Sequence, residues 1–198
     1  MTDWAALLSR EPAVDHGIAP SLAKYLTLLY KWSSITNLVA TSTTPRDLVA
    51  LHVADCLALL PHLGNASRIV DVGSGGGLPG IVLAIARPAL SVTALEPVHK
   101  KHAFLATVRR ELPLDNFTAL AERDEQHRTR PDFRPYDLAV SRAVFALGDW
   151  LTRATDLVRP GGRILGMEGR DRLPLPPDAT RHEYSVDNRT RAIIVRPV

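Results

Sequence analysis

Apolar and polar positions follow two different periods along the chain, and the change falls near residue 66. Before it the spacing is helical. Helices are expected over about 2–10, about 20–35 and about 45–60: the second is opened by "PS" and carries Leu22, Leu26, Leu29 and Tyr30 at helical spacing, and in the third Thr44 is placed to cap and Pro45 to take the first helical position. After residue 66 short β-rich runs alternate with helical ones. The strands read as "RIVDV" (68–72), "SVTALE" (91–96), "FTAL" (117–120), "YDLAVS" (136–141) and "GRILGME" (162–168), with helices near 79–87, 98–111 and 147–158, the last closed by "RPGG".

That alternation is the signature of parallel strands joined by crossover helices. The tail breaks the rule, because "TRHEYSV" and "TRAIIVRPV" flank "DNR" with no room for a helix, so they should pair antiparallel at one end of the sheet. The expected architecture is α/β: a mostly parallel, seven-stranded, Rossmann-like sheet of the class I methyltransferase type, with a terminal antiparallel hairpin. A helical cap (1–66) and an α/β core (67–198) would form one compact domain, since 198 residues suit a single core.

Composition adds limits more than directions. The chain is 45% hydrophobic and 23% charged, which suits a globular fold. One cysteine, Cys56, allows no internal disulfide, and no apolar run approaches the about 20 residues of a membrane span. The first residues, "MTDWAALLSREP", carry acids where a secretion signal has a basic start, so a cytoplasmic protein is expected. The net charge is +3, and the whole excess lies beyond residue 70, much of it arginine. Such a distribution can touch a polyanion by releasing its counterions, or can simply be a solvated surface.

The chemistry concentrates in "DVGSGGGLPG" (71–80). A bare loop between a first strand and a helix lets a ligand approach the backbone, and either a dinucleotide pyrophosphate or the amino-acid end of S-adenosylmethionine can use it. Asp71 separates the two. Its carboxylate would repel a pyrophosphate and attract an ammonium or a sulfonium. The dinucleotide fingerprint also fails in register: counting from Gly73 and Gly75 the third glycine falls on Leu78, whereas Gly75, Gly77 and Gly80 fit but lie too far past the strand. Glu96, 23 residues after Gly73, ends the second strand, where a carboxylate can accept both ribose hydroxyls.

These residues resemble a known family, the bacterial small-subunit ribosomal RNA guanine-N7 methyltransferases, also called the glucose-inhibited division protein B family. The likeness runs from about Leu29 to Gly169 through "LYKWSSITNL", "HVADC", "DVGSGGGLPGIVLAIARP", "LEPVHKKHAFL" and "SRAV", with "GLPGI" the most specific. It implies S-adenosylmethionine as cofactor and methyl transfer to N7 of a guanine in the 530 loop of 16S ribosomal RNA, with that RNA or the small ribosomal subunit as partner. By position it also implies that Gly73 and Leu78 belong to the cofactor loop, that Asp124 and Glu125 lie beside the adenine, and that Arg142 is the family's Ser-Arg-Ala arginine. A solvated cluster explains "ERDE" as well as the adenine role does. The sequence departs from the family pattern at Cys56, at Glu96 where aspartate is usual, at His102, and at Glu168, which stands where a lysine is usual.

Absences agree with N7 as the target atom, because its lone pair carries no proton and needs no general base. The place after the fourth strand reads "VSRA" in place of an Asn-Pro-Pro-Tyr loop for amine methylation, and Cys56 sits too early for a cytosine nucleophile. Arg142 should point into the cleft at the carboxyl edge of the sheet, toward the cofactor carboxylate, a substrate phosphate or the guanine O6 and N7 edge; a surface ion pair is the plain alternative. His52 and Asp55, three apart on a helix, would clasp the substrate or anchor the cap. No metal spacing occurs among the histidines, so a metal-free monomer is expected. Rival readings are a small-molecule methyltransferase, a noncatalytic ribosome assembly factor and, least compatible with Asp71 and Leu78, a nicotinamide oxidoreductase.

Overall fold

The computed structural model describes residues 2–198. The cap begins with α1 (Trp4–Leu8) and α2 (Ala19–Ser33), whose buried side chains Leu22, Tyr25, Leu26 and Leu29 form one stripe, as their spacing requires. Thr44 opens α3 (Pro45–Asp47): its hydroxyl caps the Asp47 amide while the Asp47 carboxylate bonds back to Thr44. The helix expected to continue regularly to residue 60 instead widens into a π-helical turn (Leu48–Val53) before α4 (Ala54–Leu57).

The sheet has seven strands, β1 (Arg68–Val72), β2 (Ser91–Leu95), β3 (Phe117–Leu120), β4 (Tyr136–Ser141), β5 (Val158–Glu168), β6 (Thr180–Val186) and β7 (Arg189–Pro197). Their order is β3-β2-β1-β4-β5-β7-β6; β7 pairs antiparallel with both neighbours and every other pairing is parallel. Chain order therefore reverses between β1 and β4, where open α/β sheets form their ligand crevice. The connecting helices are α5 (Gly80–Ala86), α6 (His99–Glu111), α7 (Asp124–Arg128) and α8 (Leu147–Arg153). The sheet faces alternate as a pleat demands: Ile69 packs with the cap, α5 and α6, whereas Val70 and Val72 pack with Trp150 and Leu151 of α8.

Two boundaries differ from the sequence expectation. The last crossover helix stops at Arg153, a 3-10 turn follows, and β5 begins at Val158, four residues before "GRILGME". Extended backbone tolerates "RPGG" because Pro160 has no N–H that needs an acceptor, Gly161 takes φ 79°, and the β4–β5 register shifts there. The tail hairpin closes through Asp187 and Asn188, both left-handed (φ 47° and 57°), a two-residue turn that matches the strand twist.

Candidate functional site

The glycine loop leaves β1 at the point of reversal. Gly73, Gly75 and Gly77 all have positive φ, and at two of them a side chain has no room: a Cβ on Gly73 would lie 2.6 Å from Val144, and one on Gly77 2.3 Å from Ile81. The loop satisfies its own amides. Gly73 and Ser74 donate to the Leu95 carbonyl, Gly75 to Glu96, Gly77 and Leu78 to the Ser74 carbonyl, and Gly80 to Asp71. The free amides at the helix start that the sequence suggested are thus already taken, and a pyrophosphate would find few donors and two carboxylates.

Asp71 faces the loop from beneath and is fully buried. One carboxylate oxygen accepts from Ser74 Oγ at 2.6 Å and from the Gly80 amide at 2.9 Å; the other has no partner. Burial pushes its carboxyl up to about 6, against the pull of those two bonds. The acid at the loop edge therefore staples β1 to the loop's hydroxyl and to the first amide of α5, and any field it exerts on a ligand passes through the loop. Tyr25 adds a second staple from the cap, its hydroxyl donating to the Gly76 carbonyl at 2.6 Å.

A cavity of about 260 Å³ opens over the carboxyl ends of β1, β2 and β3. Gly73, Glu96 and Asp124 line it, together with Val98, Val144 and Phe145. Glu96 accepts from the Gly75 amide at 2.9 Å and the Val98 amide at 2.8 Å, one bond per oxygen, which leaves a lone pair on each for a diol. Val98 and Val144 stand about half exposed at the rim. The donor set fits an adenosine: a carboxylate for the ribose, an apolar slot for the base, and a bare glycine beside them.

Asp124 is buried while Glu125 is exposed, so "ERDE" is no uniform solvated cluster. Both carboxylates are held by Arg153 of α8, which bonds Asp124 bidentately at 2.6 Å and also pairs with Glu125. Arg153 pulls the Glu125 carboxyl down to about 2. The Asp124 side chain is thereby occupied, and its backbone remains the part able to read a base. Leu78, Gly75 and Gly77 stand off the cavity wall; Leu78 is packed in the core under the loop.

Arg142 does not point into this cavity. It turns back toward the cap, where Nε donates to Asp55 at 3.1 Å, Nη1 to His52 Nδ1 at 3.0 Å and Nη2 to the Leu51 carbonyl at 3.2 Å. Structure thus joins three residues that sequence had placed in two separate motifs. Asp55, 1% exposed, also accepts from Arg191 at 2.8 Å and from the Tyr184 hydroxyl at 2.5 Å. Burial, then the Arg142 charge, pushes the His52 imidazole down to about 4, so it is neutral and free to accept. Tyr184 and Arg191 escaped the sequence reading because strand alternation says nothing about which distant acid a hairpin residue will meet; Arg153 escaped it for the same reason.

Glu168, the charge reversal, is also buried. Arg181 clasps it at 2.7 and 2.9 Å and Arg172 donates at 3.3 Å; against the burial that would raise its carboxyl, Arg181 holds it below the usual range. Two nearby cations thus outweigh the one acid. Among the described residues no group of three or more His, Cys, Asp or Glu side chains could hold a metal ion, and no helix is long and apolar enough to cross a membrane.

Residues 18–175 match the model of the family described as rRNA small subunit methyltransferase G, GidB. Proteins named "Ribosomal RNA small subunit methyltransferase G" from Burkholderia pseudomallei (strain 668) and Burkholderia mallei (strain NCTC 10229) are 44% identical over 174 residues, covering 83% of this chain and 74% and 75% of theirs. Among solved structures, a methyltransferase from Geobacter sulfurreducens superposes with TM-score 0.62 at 16% identity, covering 94% of this chain and 98% of its own. The O-methyltransferase TomG from Streptomyces achromogenes, solved in complex with S-adenosylmethionine, superposes with TM-score 0.59 at 18% identity and covers 98% of both chains.

Proposed function

This chain belongs to the small-subunit ribosomal RNA methyltransferase G family and is an S-adenosylmethionine-dependent methyltransferase; we propose that it methylates N7 of a guanine in the 530 loop of 16S ribosomal RNA. The observation that carries the cofactor half is the cleft itself, where bare Gly73, carboxylate Glu96 and apolar Val98 and Val144 meet without a phosphate cradle. Bound there, S-adenosylmethionine supplies an electrophilic methyl group. That methyl would be open to the lone pair of a guanine N7, which carries no proton. No proton moves, so the protein has to desolvate and align the reactants, an effect worth up to about 7–11 kcal/mol in model systems.

Within that reading Glu96 holds the ribose, and Asp124 presents its backbone to the adenine while Arg153 fixes the loop. His52, Asp55 and Arg142 are positioning residues: they tie the segment after β4 to the cap and touch neither wall of the cleft. The enzyme acts as a cytoplasmic monomer on ribosomal RNA within the small subunit or its precursor, where bases of loops are unstacked and readable.

The test is transfer of labelled methyl to small ribosomal particles from a strain lacking its own N7 enzyme, with mapping of the modified base. One labelled guanine at N7 is expected. Label on metabolites with none on RNA would move the substrate to small molecules, and cofactor binding without any transfer would favour an assembly factor.

A further inference from the structure

The chain has four lysines against twenty arginines, and the four are gathered in one region. Lys24 and Lys31 stand two turns apart on one side of α2, and Lys100 and Lys101 lie in the first turn of α6. These helices are neighbours, since Trp32 of α2 packs on Phe104 of α6 with ring centroids 5.7 Å apart. Lys31 directly precedes that tryptophan, and Lys100 lies one turn before that phenylalanine. Lys101 in turn lines the cofactor cleft. The lysines thus run from the exposed face of α2 across the start of α6 to the cleft.

Their surroundings leave them free. Eleven of the arginines pair with carboxylates, whereas no lysine makes an ion pair among the described residues. The segments that carry the lysines also lack acids: there is no Asp or Glu between Asp15 and Asp47, and none between Glu96 and Glu111. Across the cleft from Lys101, Glu122 and Asp124 are already held by Arg130 and Arg153. The helix dipole makes the arrangement costly, because α6 opens with His99, Lys100 and Lys101 and has no acid in its first turn, where carboxylates are favoured. No pairing within the fold offsets this cost; an anion brought to the surface would.

We propose that the exposed face of α2 and the first turn of α6 form a track for the RNA backbone beside the target base, with Lys24, Lys31 and Lys100 meeting its phosphates and Lys101 leading it to the cofactor cleft. The inference rests on the RNA substrate proposed above and adds the surface that holds it. A lysine ammonium is a hydrated point charge on a flexible stem, which suits a strand of variable course better than the fixed fork of an arginine. Tyr30, beside Lys31, and Val98, just before α6, are each about half exposed and offer apolar surface to the unstacked bases of a single strand.

Lys24→Gln, Lys31→Gln and Lys100→Gln combined remove three exposed charges and leave the cleft wall intact. Each neutralised phosphate of a single strand contributes about 0.7 to the slope of log affinity against log salt, so this variant should bind a single-stranded oligonucleotide of 16S RNA sequence with a slope smaller by about 2. KM for small ribosomal particles at moderate salt should rise about tenfold, with cofactor affinity in calorimetry unchanged and the thermal midpoint within a few degrees of wild type. Arginine at the same three positions should restore the slope. The control combines Arg87→Gln, Arg109→Gln and Arg134→Gln, exposed cations without ion pairs at the amino-end side of the strands, which lower the net charge equally and should leave slope and KM as they were. An unchanged slope in the lysine variant would overturn the track, and so would an equal loss in the control, since net charge alone would then explain it. A raised KM for particles with an unchanged oligonucleotide slope would also overturn it, by assigning the surface to a ribosomal protein. Labelling of the particles judges the N7 reading separately: its failure beside a lysine-dependent slope would defeat that reading and keep the track.

Discussion

Asp71 carries a cost that its position explains. Its native carboxyl titrates at about 6, above the ordinary 3.8, because burial disfavours the charge and one oxygen lacks a partner. The folded state therefore holds its proton longer than the unfolded chain does. Asp71 adds stability below the unfolded value and loses it as pH rises through about 6, the reverse of a surface carboxylate. Asp71→Asn keeps an acceptor for Ser74 and Gly80 and removes the charge, so the difference in unfolding free energy between variant and wild type should grow in the variant's favour from pH 4 to pH 7. Urea titrations at a series of pH values measure it; a flat difference would place the titration elsewhere. Gly73 is a steric case. Gly73→Val puts a branched side chain at φ 73° and 2.6 Å from Val144, so it should cost about 1–3 kcal/mol in stability and abolish cofactor binding in calorimetry.

Between elements, buried polar contacts do what apolar packing does not: they set which residue faces which. Tyr25 ties α2 to the glycine loop, and Tyr25→Phe keeps the ring while leaving the Gly76 carbonyl without its donor, an expected loss of about 1–3 kcal/mol with weakened cofactor affinity. Asp55 joins three units, the π-helical turn with α4, the exit of β4 and the β6–β7 hairpin. Asp55→Ala strands two partly buried guanidinium groups and should cost about 3 kcal/mol by chemical unfolding. If Asp55 only stabilised the fold, turnover measured well below the transition would be normal; as a positioning residue it should lower kcat too. Glu168 shows the same logic, since the acid that stands where the family's lysine is usual is paired with Arg172 and Arg181 from beyond its own strand.

For the molecule as a whole, the hairpin is an interior part despite its terminal place in the chain. β7 lies between β5 and β6, and Ile193 and Ile194 are completely buried on opposite faces of the sheet. A chain ending at residue 179 would expose the edge of β5 and remove two partners of Asp55, so it should show no cooperative thermal transition in calorimetry. Two cavities, the cofactor cleft and a neighbour lined by Ser141 and Gly166, fit this design. Both open over the carboxyl ends of the parallel strands.

Apart from the short α7, which the sequence pattern did not indicate, the order of helices and strands, the parallel core and a tail hairpin around "DNR" were legible in the sequence because period and turn chemistry are local properties. Strands 68–72, 117–120 and 136–141 needed nothing beyond their own residues, and neither did the bare loop with Glu96 at its partner strand's end. The family motifs carried the cofactor further. What tertiary structure decided was direction. Whether Arg142 points to the ligand or to the cap, whether Asp71 meets solvent or the amide of Gly80, and that Arg153 engages Asp124 all depend on side chains 9 to 87 positions away in sequence. The π-helical turn and the early start of β5 are decided the same way. Local propensity there is nearly balanced, and packing against distant elements tips it.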